Sequence, residues 1–132
     1  MKTLVPAMAA MTAAAALAGC SEPAVVAPRD PGVCWHMPPA EEGQAPRFNR
    51  VRENVASLED CAAALEQMRL RFRALGGGQE EVTGAYQGQF LFLRRPGIYT
   101  APRLTGQQYL VLVRTADGRL ARMGAVQAPA QA

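Results

Sequence analysis

Between positions 57 and 75 the apolar side chains fall at steps of three and four. Leu58, Cys61, Leu65, Met68, Phe72 and Leu75 make one stripe, with Glu59, Glu66, Arg71 and Arg73 largely off it. This is the period of an amphipathic helix packed on something flat. Ser57, followed three residues later by Asp60, supplies a capping-box-like start, because hydroxyl and carboxylate meet backbone amides that have no partner inside the helix. The run Gly76-Gly77-Gly78 ends it at about Leu75, glycine being able to take the left-handed conformation that closes off the last carbonyls. This triple glycine follows a helix rather than opening one, and no Gly-Lys-Ser/Thr comes after it, so it is not a phosphate-cradling loop.

On either side of the helix the pattern changes to that of strands. Residues 47–52 alternate large apolar with polar groups and are expected to form a strand with one buried face. Residues 80–83 form a short strand or a connector, with Gly84 and Gly88 breaking the run around Tyr86. Residues 89–93, Gln-Phe-Leu-Phe-Leu, are apolar on both parities, as in a central strand covered on both faces. The second cover would come from Trp35 and the proline-rich arm that carries it, or from a partner. Pro96-Gly97 fits the middle of a type II turn, and residues 98–100 continue as a brief strand. Residues 108–114 are rich in branched side chains, and Asp117-Gly118 leads into residues 119–123, a hairpin signature. Residues 125–132 carry no core-forming run and are expected to fray. There is no internal repeat.

The order strand, helix, then three or four strands predicts an α+β domain over residues 47–124. In it one amphipathic helix packs on a small, mainly antiparallel sheet of about four strands. Ahead of it, residues 20–46 hold six of the chain's ten prolines, which disfavour helix and sheet and predict an extended spacer. Its one interruption is Val33-Cys34-Trp35-His36-Met37, where Trp35 is expected to pack on the domain as an anchor.

The first 19 residues have a different character. Met1-Lys2, with the only lysine in the chain, precedes an almost uncharged run from Leu4 to Leu17. These are the n-region and h-region of an export signal, too short and too alanine-rich to serve as a permanent span. The residues Leu17-Ala18-Gly19-Cys20 that close it resemble the lipobox of bacterial lipoprotein signal peptides. That resemblance implies cleavage before Cys20, a diacylglyceryl group on the Cys20 thiol, and acylation of the freed amine. Ser21 resembles the outer-membrane sorting preference, so the implied location is the periplasmic face of the outer membrane.

Composition narrows what such a protein does. The net charge of +3, of which Lys2 contributes one, is too mild for a nucleic-acid binder, which needs a clustered basic surface to displace counterions. The three cysteines divide into one for lipid, Cys20, and two for each other, Cys34 and Cys61. In an oxidising compartment a Cys34–Cys61 disulfide is expected, and closing so long a loop stabilises a fold by about 3–4 kcal/mol on the chain-entropy model.

Candidate chemistry is sparse. Cys34, His36, Met37 and Cys61 form a soft-ligand set of the kind that suits copper. The two cysteines are equally well accounted for by the bridge, so no metal or other cofactor is expected, with His36 and Met37 kept as an alternative ligand pair. The only histidine lies in the spacer, and the serines are Ser21 beside the lipid and Ser57 at the helix cap. The paired carboxylates Glu41-Glu42, Glu59-Asp60 and Glu80-Glu81 are neighbours along the chain and point apart rather than converge. Nucleophilic or acid–base catalysis therefore has no evident machinery. Arg94, Arg95, Arg103 and Arg114 are candidates for a basic patch at one end of the sheet, facing anionic headgroups or envelope polymers. The expectation is a monomeric, non-catalytic lipoprotein held to the membrane through Cys20. It would act on an envelope protein or polymer; the alternative is a small-ligand or metal-binding lipoprotein using the Cys34-Trp35-His36-Met37 region.

Overall fold

The computed structural model describes residues 24–77 and 81–123. Residues 1–23, on which the expected export signal and Cys20 fall, residues 78–80 and residues 124–132 lie outside the described residues. Seven strands form one sheet in the order β2-β1-β3-β4-β5-β6-β7. They are β1 (Cys34–Met37), β2 (Asn49–Arg52), β3 (Val82–Tyr86), β4 (Gln89–Leu93), β5 (Gly97–Ala101), β6 (Tyr109–Arg114) and β7 (Leu120–Arg122), with a single helix α1 (Leu58–Ala74) between β2 and β3. Every pairing is antiparallel. The class is α+β, as expected, but the sheet is larger than the four strands anticipated.

The sheet is organised by β4. Successive side chains of a strand point to opposite faces, so Leu91 and Leu93 join one buried cluster with Cys34, Cys61, Leu65, Ile98 and Leu112 beneath the helix. Phe90 and Phe92 join a second cluster with Ala27, Ala85 and Ala101 on the other face. Fully burying a side chain of this size is worth about 1.5–3 kcal/mol. Both faces therefore contribute, and both need a cover.

The helix covers the first face. Ser57 caps it by accepting from the Asp60 amide at 3.1 Å, Glu59 and Asp60 sit in its first turn, and Arg71 and Arg73 in its last, each sign where the helix dipole favours it. At the other end Gly76, at φ +87°, donates to the Arg73 carbonyl at 3.0 Å and Gly77 to the Phe72 carbonyl at 2.7 Å, the paired bonds of a Schellman motif. The buried face is Cys61, Ala62, Ala64, Leu65, Glu66 and Arg69. This corrects the apolar stripe at its far end, where Phe72 is 49% and Leu75 83% exposed. The helix packs on β1 to β4, and its last turn runs past them. Gly84 does not break β3. It is where the helix comes closest, a Cβ there lying 2.4 Å from Leu65 Cδ1 and 2.7 Å from the Trp35 carbonyl oxygen.

The second face is closed by residues expected to be spacer, and here the boundary at residue 46 is corrected. β1 pairs with β2 on one side and β3 on the other. The prolines of this stretch flank the strand at Pro31 and Pro38 and leave Cys34–Met37 with every amide it needs. Trp35, Met37, Phe48 and Val25 pack against the Phe90/Phe92 cluster, in which Ala27 is 2% exposed. Phe48, just ahead of β2, lies on this face, whereas Val51 within β2 packs on the helix face. The Cys34–Cys61 disulfide, with Cα atoms 5.3 Å apart, ties β1 to the helix.

Two turns differ from expectation or sharpen it. Gln87 and Gly88, both at positive φ, form the two-residue link between β3 and β4 that the right-handed strand twist favours. Gly97 is not the third residue of a type II turn. It already belongs to β5, and a Cβ on it would meet the Leu112 carbonyl oxygen at 2.2 Å. Glycine is required there by the close approach of β6.

Candidate functional site: an arginine-lined cavity

Four residues after Cys61 and Ala62, Leu65 and Glu66 come round to the same side of the helix, and Arg69 and Arg73 follow on the next turns. Glu66 is held from two sides. Arg69 donates to it through Nε at 2.9 Å and Nη2 at 2.7 Å, and Arg114, from the end of β6, donates through both Nη1 and Nη2. Arg114 also donates to the carbonyls of Arg94 and Arg95, each at 3.2 Å, while its amide bonds the Pro96 carbonyl at 3.1 Å. One guanidinium thus fastens the β4–β5 turn to the helix.

Burial pushes the Glu66 carboxyl up, but the hydrogen bonds and charge of Arg69 and Arg114 outweigh it and hold the group below the ordinary glutamate value. The carboxylate is therefore ionised throughout the physiological range. Its side chain is 9% exposed, as is that of Arg69, and Arg114 is 14% exposed. Removing one member of such a buried set leaves uncompensated charge, at a cost of about 3–5 kcal/mol.

Beside this triad lies a cavity of about 110 Å³ lined by Arg69, Arg73, Arg95 and Arg114. Arg69 and Arg95 make further contacts of their own, and Arg73 is exposed at the rim. Guanidinium groups stay charged at any working pH and offer planar pairs of N–H donors that match the oxygens of a carboxylate or phosphate. The wall suits oxyanion binding and has no group able to shuttle a proton near neutrality.

The four arginines singled out in the sequence do not form one patch. Arg95 and Arg114 meet at this cavity. Arg94 turns to the opposite face, its guanidinium 5.6 Å from the Phe92 ring centre and 5.4 Å from that of Tyr99. Arg103 is a strand length away, because β5 runs between the two ends; it lines a separate depression of about 230 Å³ with Pro102, Thr105, Gly106, Gln107 and Tyr109. Glu66, Arg69 and Arg73 were missed. Their spacing of three and then four puts them on one helical stripe, a signal in the chain obscured by treating charged positions as solvent-facing.

The Cys34-Trp35-His36-Met37 stretch is distributed over both sides of the sheet. Cys34 and Cys61 are fully buried in the disulfide, which takes both sulfurs out of the soft-ligand set. Met37 packs toward Phe90 and Phe92. His36 borders a mostly apolar depression of about 270 Å³ with Pro38, Pro39, Phe72 and Gly77, and burial pushes its pKa down. Trp35 lies under the Arg50 guanidinium, 5.3 Å from its ring centre. Among the described residues no three His, Cys, Asp or Glu side chains converge as metal ligands, and no helix is long and apolar enough to cross a membrane. The chain matches no protein-family model, no curated protein and no solved structure.

Proposed function

We propose that the mature chain is a lipid-anchored, non-catalytic module of the outer membrane's periplasmic face that binds an anionic group of an envelope polymer or protein. Support for the location comes from the lipobox residues Leu17 to Cys20 and from a disulfide buried between β1 and α1, a bond that persists in oxidising compartments. Acyl chains on Cys20, at ~0.8 kcal/mol per buried methylene, would make the anchoring effectively permanent. The single observation that carries the binding role is the guanidinium wall of Arg69, Arg73, Arg95 and Arg114, braced by Glu66.

The test is co-sedimentation of the mature protein with purified envelope polymers bearing phosphate or carboxylate groups, alongside titration with inorganic phosphate. Binding that rises at low salt and drops at least tenfold in Arg73→Glu is expected, since Arg73 is exposed and its replacement spares the fold. Wild-type protein that binds neither polymer nor phosphate at low salt overturns the role. A second reading, an apolar small ligand beside His36, is favoured by the depression between Pro38, Pro39 and Phe72. Quenching of an environment-sensitive apolar dye, lost in Phe72→Ser, would support it.

A further inference from the structure

The distance between the lipid anchor and the fold is set by covalent chemistry, and it is short. Spacer character was expected as far as residue 46, which would have let the domain range widely; a flexible chain of about 26 residues has a root-mean-square span of roughly 25–30 Å. The structure shortens this sharply. Ala27 is buried against Ala85, Phe90, Phe92 and Ala101, and Val25 packs on the same cluster. The Pro28 carbonyl accepts from the Gly88 amide at 2.8 Å, and the Gln87 side chain accepts from the Gly32 amide at 2.9 Å. The chain is thus committed to the fold from residue 25 onward. Four peptide steps separate Cys20 from Ala24, and even fully extended they reach at most ~14 Å. That is comparable to the headgroup layer plus the ~8 Å over which charges act in physiological salt.

Where the chain enters decides which surface meets the lipid. The Pro28 carbonyl holds the Gly88 amide, so the chain joins the fold at the end of the sheet formed by the Gln87-Gly88 turn, the end from which the loop after β5 also leaves. Exposed toward this end are Val26 at 67%, two residues before Pro28, and, from the loop after β5 and the start of β6, Arg103 and Tyr109 (55%), which share a depression. Arg29 lies against Gly88; Asp30 is the acidic neighbour. Tyrosine and arginine beside an apolar residue are the side chains that settle at a membrane–water boundary. The arginine-lined cavity lies on the helix side and at the opposite end of the strands, about 17 Å away for a five-residue strand.

We propose that this surface, formed by Val26, Arg103 and Tyr109, rests on phospholipid headgroups, so that the short tether fixes the domain's orientation and presents the Arg69/Arg73/Arg95/Arg114 cavity to the periplasm. The inference rests on acylation at Cys20. It is tested with the native, lipidated full-length product in phosphatidylethanolamine–phosphatidylglycerol nanodiscs carrying a headgroup nitroxide, reading the broadening of backbone amide signals. Amides of residues 25–27, 29 and 103–109 are expected to broaden several-fold more than those of residues 71–73, 94, 95, 97 and 115–119. A flexible Gly-Ser insert between Pro23 and Ala24 should level the difference, and Arg103→Glu with Tyr109→Ser should reduce it without releasing the protein. Equal broadening at both ends, or the reverse order, overturns the orientation while leaving the anchor intact. An intact mass showing an unmodified Cys20 overturns the anchor, and the orientation with it.

Discussion

Leu91 and Leu93, on one side of β4, lie beneath a helix whose periodicity is plain in the chain, whereas Phe90 and Phe92, on the other side, are covered by scattered side chains of residues 24–48, a stretch with no helical period. Both sides are buried to the same degree. Regular pattern therefore does not measure how much a segment contributes to a core. A proline-rich stretch contributes as a helix does when a few small or aromatic side chains, here Ala27, Trp35 and Phe48, fall where a cluster needs cover.

The sharpest way to break this comparison is to empty each side in turn. Phe90→Ala is expected to destabilise the domain by about 3–5 kcal/mol and Leu91→Ala by about 2–5 kcal/mol, measured by urea unfolding of the mature protein. A loss below about 1 kcal/mol for Phe90→Ala alone would mean that the irregular cover contributes little. Glu66→Ala should cost about 3–5 kcal/mol, because Arg69 and Arg114 would be left buried without their carboxylate; a neutral result would mean the triad is solvated.

The same group makes a pH prediction. Since the folded protein holds Glu66 below its ordinary value of 4.5, the unfolded chain takes up the proton more readily. The stability it contributes is full above that value and is lost as pH falls through the lower folded pKa. Unfolding midpoints followed downward from neutrality should decline less steeply in Glu66→Gln than in the wild type. Reduction of Cys34–Cys61 is expected to cost about 3–4 kcal/mol and, unlike the core truncations, to loosen both sides together, since β1 carries Trp35 to one face and the bridge to the other. Hydrogen exchange in β1 and α1 would show this. The smallest effect is expected from Ser57→Ala, about 1 kcal/mol, confined to the first turn of the helix and readable as faster exchange of the Asp60 amide.

Some elements were legible because local chemistry alone decides them. The Ser57 cap, the glycine stop and the Asp117-Gly118 hairpin each depend on a few adjacent residues, and each stands where the pattern puts it. The double-sided character of residues 89–93 was legible for the same reason, parity being a local property. What escaped were features that depend on a distant neighbour. Gly84 looked like a breaker because nothing adjacent to it reveals that Leu65 passes 2.4 Å from where its Cβ would be. Gly97 looked like a turn residue because the constraint on it comes from Leu112, fifteen residues on. Glu66 looked solvent-facing because the guanidinium that justifies burying it arrives from the end of β6.

The arginine patch shows the same division. Residue type was informative, since guanidinium groups seek oxygens and aromatic faces wherever they are placed. Position was not, because β5 separates Arg95 from Arg103 by its whole length. What the chain determined by itself was the helix with its caps, the alternation of β4, the pairing of Cys34 with Cys61 and the α+β class, all of which follow from short-range periodicity or from simple counting. Only the tertiary structure decided that the proline-rich arm is part of the sheet, and that three of the four arginines beside Glu66 come from beyond the helix or face inward. Burial and ionic pairing are properties of a neighbourhood in space, and a neighbourhood in space is not written at any one place along the chain.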